Sequence, residues 1–346
     1  MRAGDIPLAI VTQNEHVQWL SGARFRDALS AAAMLTAEGR LTLFAPSKEP
    51  PFAVADEVVV FEAKSLSTIR NDQAAQYSAA VLEHLRADSP SRIGCEYSSF
   101  PQHLAASVDV ELIDVEPQLF KLRRRKERDE LHLLRRAIEA TGAMYGRARE
   151  IVAPGVSELT VFNELQAVAV EVLGEPLTAT GNDYACAARG GPPRDRRAEA
   201  GELYILDLGP AYRGYFADNC RTLAVGQEPT TLQQQAWEQC TRVFPLVESS
   251  VRPGASCREL FERAKAILDE SLPWKFNHHL GHGIGLAPHE APHPNPFWDE
   301  QFAEGDVVAI EPGLYHEELR AGIRLENDYL VTADGVELLS DFPLEL

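Results

Sequence analysis

Four acids set within apolar strands constrain this chain more than any other feature. GELYILDLGPAYRGYFADNCRTLAVG (201–226) reads as two apolar strands around a Gly-bearing turn. Asp207 and Asp218 are symmetric about the Tyr212–Arg213 junction, so a hairpin centred there sets them directly opposite each other. Cross-strand neighbours lie about 5 Å apart at Cβ. Two like charges that close in an apolar setting destabilise a sheet unless something neutralises them. VVAIEPGLY (307–315) and AGIRLENDYLVT (321–332) repeat the arrangement, with Glu311 and Glu326 symmetric about the Glu318–Leu319 junction. Acids are seldom buried without a partner. A divalent cation is the economical partner for two such pairs.

Between the two ribbons lies NHHLGHGIGLAPHEAPH (277–293). His278, His279, His282, His289 and His293 fall within 16 positions, half of the chain's 10 His. Gly281, Gly283 and Gly285 flank His282, which allows close backbone approach without side-chain bulk. Four carboxylates and one imidazole can hold two divalent cations, and the charges cancel. Such an oxygen-rich set suits manganese, iron, cobalt or zinc. Two cations a few Å apart share a hydroxide that is nucleophilic at neutral pH.

The rest of the chain frames this region. At about 150 residues per domain, 346 residues predict two. LTLFAPS (41–47), EVVVFEA (57–63), SRIGCEY (91–97) and VELIDVE (110–116) read as strands. Ala28 to Glu38 and Ala75 to Ala87 read as helices, which makes a small α/β domain. A basic run from Lys121 to Arg128 opens a helix expected over Lys126–Ile151, and Ser157 is the expected cap of the next one. The expected domains are 1–122, an N-terminal α/β domain, and 123–346, a catalytic domain. Trp19, Trp237, Trp274 and Trp298 read as core or interface aromatics, and Cys220 as a packing residue.

Net charge narrows the partners. With 33 basic and 52 acidic residues the chain carries −19, which repels phosphate backbones and anionic membrane surfaces. No nucleic-acid or membrane partner is expected. The N-terminal residues do not read as a signal peptide, and no window approaches the roughly 20 apolar residues of a span. Five scattered Cys predict reduced thiols and a cytoplasmic location.

At DLG…D…RT (207–222), HLGHGIGL…HE (279–290), IEPGLY (310–315) and GIRLEN (322–327) the sequence resembles the pita-bread metallohydrolases: methionine aminopeptidase, aminopeptidase P, prolidase and creatinase. The N-terminal domain is similar to that of the aminopeptidase P, prolidase and creatinase branch. The resemblance implies a curved antiparallel sheet with helices on its convex face and metals in the concavity. It implies that Asp207, Asp218, His282, Glu311 and Glu326 are metal ligands, with Asp218 and Glu326 bridging. The implied metals are two divalent ions, manganese first, with cobalt, zinc or iron as alternatives. Glu311 would shuttle a proton to the leaving amine, and His289 would hydrogen-bond the scissile carbonyl. His278 would line the pocket, and Arg324 would orient a ligand carboxylate. The implied substrate is a small peptide with proline second, and the implied assembly a homodimer.

The sequence departs from these relatives at two points. Most catalytic members place another His roughly 18–21 residues before the first ligand Asp, but this chain has no His between His132 and His278. That place falls near Cys186 to Arg189, and either residue could occupy it. Prolidases tend to carry an Arg before the IEPG strand to hold the dipeptide carboxylate, whereas PNPFWDEQFAEGD (294–306) has no basic residue. Three readings follow: an Xaa-Pro aminopeptidase or dipeptidase, another C–N hydrolase on a creatinase-like scaffold, or a metal-binding relative without turnover.

Overall fold

The computed structural model describes residues 5–25, 28–86, 90–181, 183–270 and 273–346. The chain divides into two compact units, Met1–Arg123 and Arg124–Leu346.

In the N-terminal unit, six strands form one mixed sheet: β1 (Leu8–Val11), β2 (Ala32–Thr36), β3 (Leu41–Pro46), β4 (Glu57–Phe61), β7 (Arg92–Cys95) and β8 (Glu111–Asp114). A two-residue-per-strand hairpin, β5 (Lys64–Ser65) and β6 (Thr68–Ile69), follows β4. The sheet order is β4-β3-β2-β1-β7-β8. Helices α1 (Asn14–Ser21), α2 (Gln73–Leu85), α3 (Gln102–Ala105) and α4 (Glu116–Arg123) complete the unit. Strand alternation sorts the core into two layers. Leu8, Ile10, Met34 and Phe44 pack with Tyr77 and Val81 of α2. Ala9, Val11, Ala33 and Leu43 pack with Val17 of α1 and Leu119 of α4.

The helix expected over Ala28–Glu38 is instead strand β2, paired with β1 and β3. Its residues are apolar on both faces because both faces of the sheet are covered, so no alternation marks it as a strand. The second expected helix is present as α2, and Ala87, its expected end, lies outside the described residues.

In the C-terminal unit, α5 (Arg128–Ile151) and α6 (Glu158–Leu173) precede two hairpins. Glu127 and Glu130 close a capping box at the start of α5. Ser157 stands at the N-cap of α6 without a side-chain cap bond. The first hairpin comprises β9 (Leu203–Leu208), β10 (Ala211–Tyr212), β11 (Tyr215–Phe216) and β12 (Asn219–Ala224). Three helices follow: α7 (Thr231–Thr241), α8 (Val243–Ser250) and α9 (Cys257–Asp269). The second group comprises β13 (Gly281–Gly283), β14 (Val307–Ile310), β15 (Gly313–Leu314), β16 (Ile323–Arg324), β17 (Asn327–Val331) and β18 (Val336–Leu338). All its pairings are antiparallel.

Period-2 alternation builds the site. On β9, Tyr204, Leu206 and Leu208 pack against α5 and α6, which turns Asp207 to the opposite face. Val308 and Ile310 of β14, with Leu325 and Tyr329, enter the core of α7, α8 and α9, which turns Glu311 and Glu326 away from it. The Glu326 N–H donates to the Cys220 carbonyl at 2.9 Å, which joins the two groups of strands where the acids stand.

Candidate metal centre

The two acid pairs meet differently from one another. The β14–β17 and β15–β16 ladders hold one register, Ile310 with Asn327 and Gly313 with Arg324, so Glu311 and Glu326 stand opposite each other. In the first hairpin the turn is Arg213–Gly214, one residue later than the symmetry of the acids suggests. Both turn residues have positive φ, 49° and 90°, as a two-residue type I′ turn requires. Asp207 therefore pairs with Cys220, and Asp218 is its diagonal neighbour on the same face.

One cavity of about 590 Å³ is lined by Asp207, Asp218, His282, Glu311, Glu326, His278, His289 and Arg324 together. Donor atoms of Asp218, His282 and Glu326 lie within 4.8 Å of one another. His282 Nε2 is 3.5 Å from Asp218 and 3.8 Å from Glu311. Its Nδ1 faces the Gly283 carbonyl at 3.1 Å, which assigns the proton to Nδ1 and leaves Nε2 bare toward the acids. Burial holds the His282 imidazole down to about 3. The close approach depends on glycine: a Cβ on Gly281 would sit 2.0 Å from the Ala309 carbonyl oxygen.

The carboxylates are crowded. Burial, then the charge of Asp207, pushes Asp218 well above the usual carboxylate range. Burial and Asp218 do the same to Glu326. Asp207 is pushed up to about 6 by burial, against the pull of Arg324. Glu311 goes the other way: burial opposes its charge, but the His279 hydrogen bond together with the charges of His279, His278 and His282 outweighs that and holds it at about 2. The Glu326 Oε2 atom is buried with no hydrogen-bond partner among the described residues. A buried oxygen without a donor, beside acids that repel one another, fits a divalent cation. The oxygen-and-imidazole donor set fits manganese, cobalt, iron or zinc.

Other groups hold the acids in place. Arg324 donates to Asp207 at 2.7 Å and also to Asp183. Its Nη1 reaches the Arg189 carbonyl at 2.9 Å. His278 Nδ1 faces the His279 carbonyl at 2.7 Å, so its Nε2 accepts from the Tyr315 hydroxyl at 3.0 Å. His289 stacks on His282 with ring centroids 3.6 Å apart. Its turn is clasped by Glu290, which accepts from the Ala287 N–H at 3.0 Å and pairs with Lys126 at 3.0 Å.

The comparisons with known proteins give the family. The family model described as metallopeptidase family M24 matches residues 132–333, and that of the creatinase/prolidase N-terminal domain matches residues 1–124. The chain belongs to metallopeptidase family M24. An Xaa-Pro dipeptidase of Pyrococcus horikoshii is 28% identical over 100% of this chain and 96% of its own length. An uncharacterized peptidase of Bacillus subtilis is 29% identical over 72% of this chain and 71% of its own. The crystal structure of the prolidase from Pyrococcus horikoshii superposes with a TM-score of 0.82 at 25% identity, covering 100% of this chain and 97% of that one. Within the family, this chain is a metallopeptidase with a creatinase-like first domain and a pita-bread second domain.

Three residues around this cavity, His279, Tyr315 and Asp183, carried no assigned role in the sequence, and Arg189 was only one of two candidates for the missing histidine's place. His279 bonds Glu311 at 2.8 Å, and only its adjacency to His278 hinted at it. Tyr315 sits at the end of IEPGLY and orients His278. Asp183 and Arg189 line the cavity from a loop with no motif. Of the two residues considered for the missing histidine's place, Cys186 is buried with its thiol toward Glu202, and only Arg189 lines the cavity, 3.9 Å over the Tyr315 ring. Beside it, Gly190 leaves room for Asp183: a Cβ there would lie 2.2 Å from Asp183 Oδ2. No helix of the described residues is long and apolar enough to cross a membrane.

Proposed function

We propose that this chain hydrolyses the bond before proline in small peptides, as an Xaa-Pro aminopeptidase or Xaa-Pro dipeptidase using two divalent cations. Asp207, Asp218, His282, Glu311 and Glu326 would hold the cations, manganese first among the candidates. The observation that carries this reading is the convergence of Asp218 and His282 on Glu326, one of whose oxygens has no partner among the described residues, in a cavity that Asp207 and Glu311 also line. The names of its relatives, Xaa-Pro dipeptidase and prolidase, point the same way.

When bound, the cations would supply an acidified water and Lewis-acid polarisation of the scissile carbonyl. The residues supply the rest. Glu311 is ionised and paired with His279, so it can accept a proton and pass it to the leaving amine. His289 presents a ring nitrogen toward the carbonyl oxygen as charge develops there. Arg324 keeps Asp207 oriented, and Asp183 shares that guanidinium. His278, its Nε2 occupied by Tyr315, shapes the wall and does not titrate near neutrality, since burial holds it down to about 4.

A second reading, a relative that holds metal without turnover, draws on one observation: no histidine stands between His132 and His278, and Arg189 lines the cavity in the stretch where relatives place one. The deciding experiment combines elemental analysis with hydrolysis of Ala-Pro and Ala-Pro-Ala. Chelator-sensitive cleavage that Glu311→Gln abolishes supports the peptidase. Two bound metals with no cleavage of either peptide support the second reading. The proposal places the protein in the cytoplasm as a homodimer; its five Cys are all free and buried.

A further inference from the structure

A second cavity, of about 380 Å³, shares His278 and His279 with the metal centre as a common wall. Its remaining walls are largely aromatic: Phe261, Phe276, Phe297 and Trp298. Phe276 meets His278 edge-on with ring centroids 4.7 Å apart, and Phe261 packs behind it at 5.8 Å. The opposite rim is a braced turn. Asn295 is 4% exposed, donates to the His293 carbonyl at 2.7 Å and accepts from the Phe297 N–H at 2.8 Å. The turn holds Phe297 at 82% exposure and Trp298 at 50%. Two adjacent large aromatics held in water beside a concave site mark a place where something apolar docks.

The basic groups near this cavity are already engaged. Lys265 pairs with Asp269 at 2.6 Å, and His293 with Glu300 at 2.9 Å. The segment 294–304 contains no Lys, Arg or His. The cavity thus suits an apolar side chain better than a terminal carboxylate. Direction follows from Glu311. It bonds His279 at 2.8 Å and lies 3.7 Å from His278, so the wall common to both cavities stands on the side of the group that receives the proton.

We infer that this cavity is a specificity subsite for a bulky apolar side chain on the residue that follows the proline. The inference rests on the Xaa-Pro reading above, which makes the proline nitrogen the leaving group. It selects peptides of three or more residues with an aromatic or branched apolar third residue. Burying a phenyl ring there against water gives at least about tenfold in kcat/KM over glycine.

The test uses the manganese-loaded full chain with Ala-Pro-Phe, Ala-Pro-Gly, Phe-Pro-Gly and Ala-Pro, and titration calorimetry with the products Pro-Phe and Pro-Gly. Ala-Pro-Phe is cleaved at least about tenfold more efficiently than Ala-Pro-Gly, chiefly through KM, and Pro-Phe binds more tightly than Pro-Gly by a similar factor. Phe297→Ala with Trp298→Ala, both outside the buried core, erases both differences. Equal efficiency on the two tripeptides, or a preference that survives the double variant, overturns the subsite while the peptidase reading stands. A preference that follows the first residue, seen with Phe-Pro-Gly, overturns its assignment to the leaving side. No cleavage of any peptide, with Pro-Phe binding retained and lost in the double variant, overturns the peptidase reading and keeps the apolar site.

Discussion

In the N-terminal unit, Glu96 is fully buried and donors surround it: Thr12 N–H at 2.6 Å, Gln13 N–H at 3.2 Å, Ser99 Oγ at 3.0 Å and His16 Nδ1 at 2.5 Å. Nearby Glu116 takes Gln13 Nε2 and Ser98 Oγ, each at 2.6 Å. In the C-terminal unit, Glu326 is 1% exposed and one of its oxygens has no donor among the described residues. The same residue type is buried as deeply in both places, but the supply of hydrogen-bond donors and the crowding by other acids differ. Burial resists the charge of Glu116, yet those hydrogen bonds hold it below the ordinary carboxylate range. Glu326 is pushed well above it. A buried acid that the protein satisfies is part of the scaffold, and one that it leaves unsatisfied among other acids fits a cation.

Exchanging acids across this comparison has the largest expected effect. Glu311→Gln lowers kcat by about 10²- to 10⁴-fold. Glu326→Gln, in addition, reduces the metal retained after dialysis. Glu96→Gln leaves both within a few-fold. Metal loss in the Glu96 variant would break the distinction.

Cation binding should register as stability next. At a free manganese concentration 100 times its dissociation constant, unfolding becomes about 2.7 kcal/mol harder. A chelator reverses this, as differential scanning calorimetry reads directly. The Glu326→Gln protein loses most of the increment, and the Glu96→Gln protein retains it.

The sharpest contrast is one of sign in the metal-free protein. Glu96→Gln strands donors that the carboxylate satisfied and costs about 1–3 kcal/mol. Glu326→Gln removes a repelling charge, so it is neutral or stabilising by urea titration. Destabilisation by both to the same degree would remove the argument that one cluster is unsatisfied.

Acid titration gives the smallest effect, again with opposite signs. Glu116 is held below its unfolded value, so its contribution is present above about 4.5 and fades as pH falls through the lower folded value. Asp207 stands at about 6 against an ordinary 3.8, so the metal-free fold carries its penalty at neutrality and sheds it as pH falls from about 6 toward 4. Glu116→Gln should therefore cost less stability at pH 3.5 than at pH 6. Asp207→Asn should relieve metal-free protein more at pH 7.5 than at pH 5.

What was legible in the sequence is what alternation and periodicity encode. The helix α5 follows from its repeat of apolar residues, and the opposition of Glu311 and Glu326 follows from a register maintained on both sides of Pro312. Facing is a local property: once Ile310 enters the core, Glu311 must turn the other way. The first hairpin shows the limit of symmetry. There the type I′ turn at Arg213–Gly214, rather than the spacing of the acids, sets the register and makes Asp207 and Asp218 diagonal neighbours.

Other features were decided only by segments that meet from far apart in the chain. Residues 32–36 form a strand because β1 and β3 lie on either side of them. Asp183 reaches Arg324, 141 positions away, by filling the volume that Gly190 leaves open. Tyr315 fixes His278 across 37 positions. Alternation along the chain records the face on which a side chain lies, whereas the packing of distant segments selects which group fills a given volume and which oxygen is left without a donor.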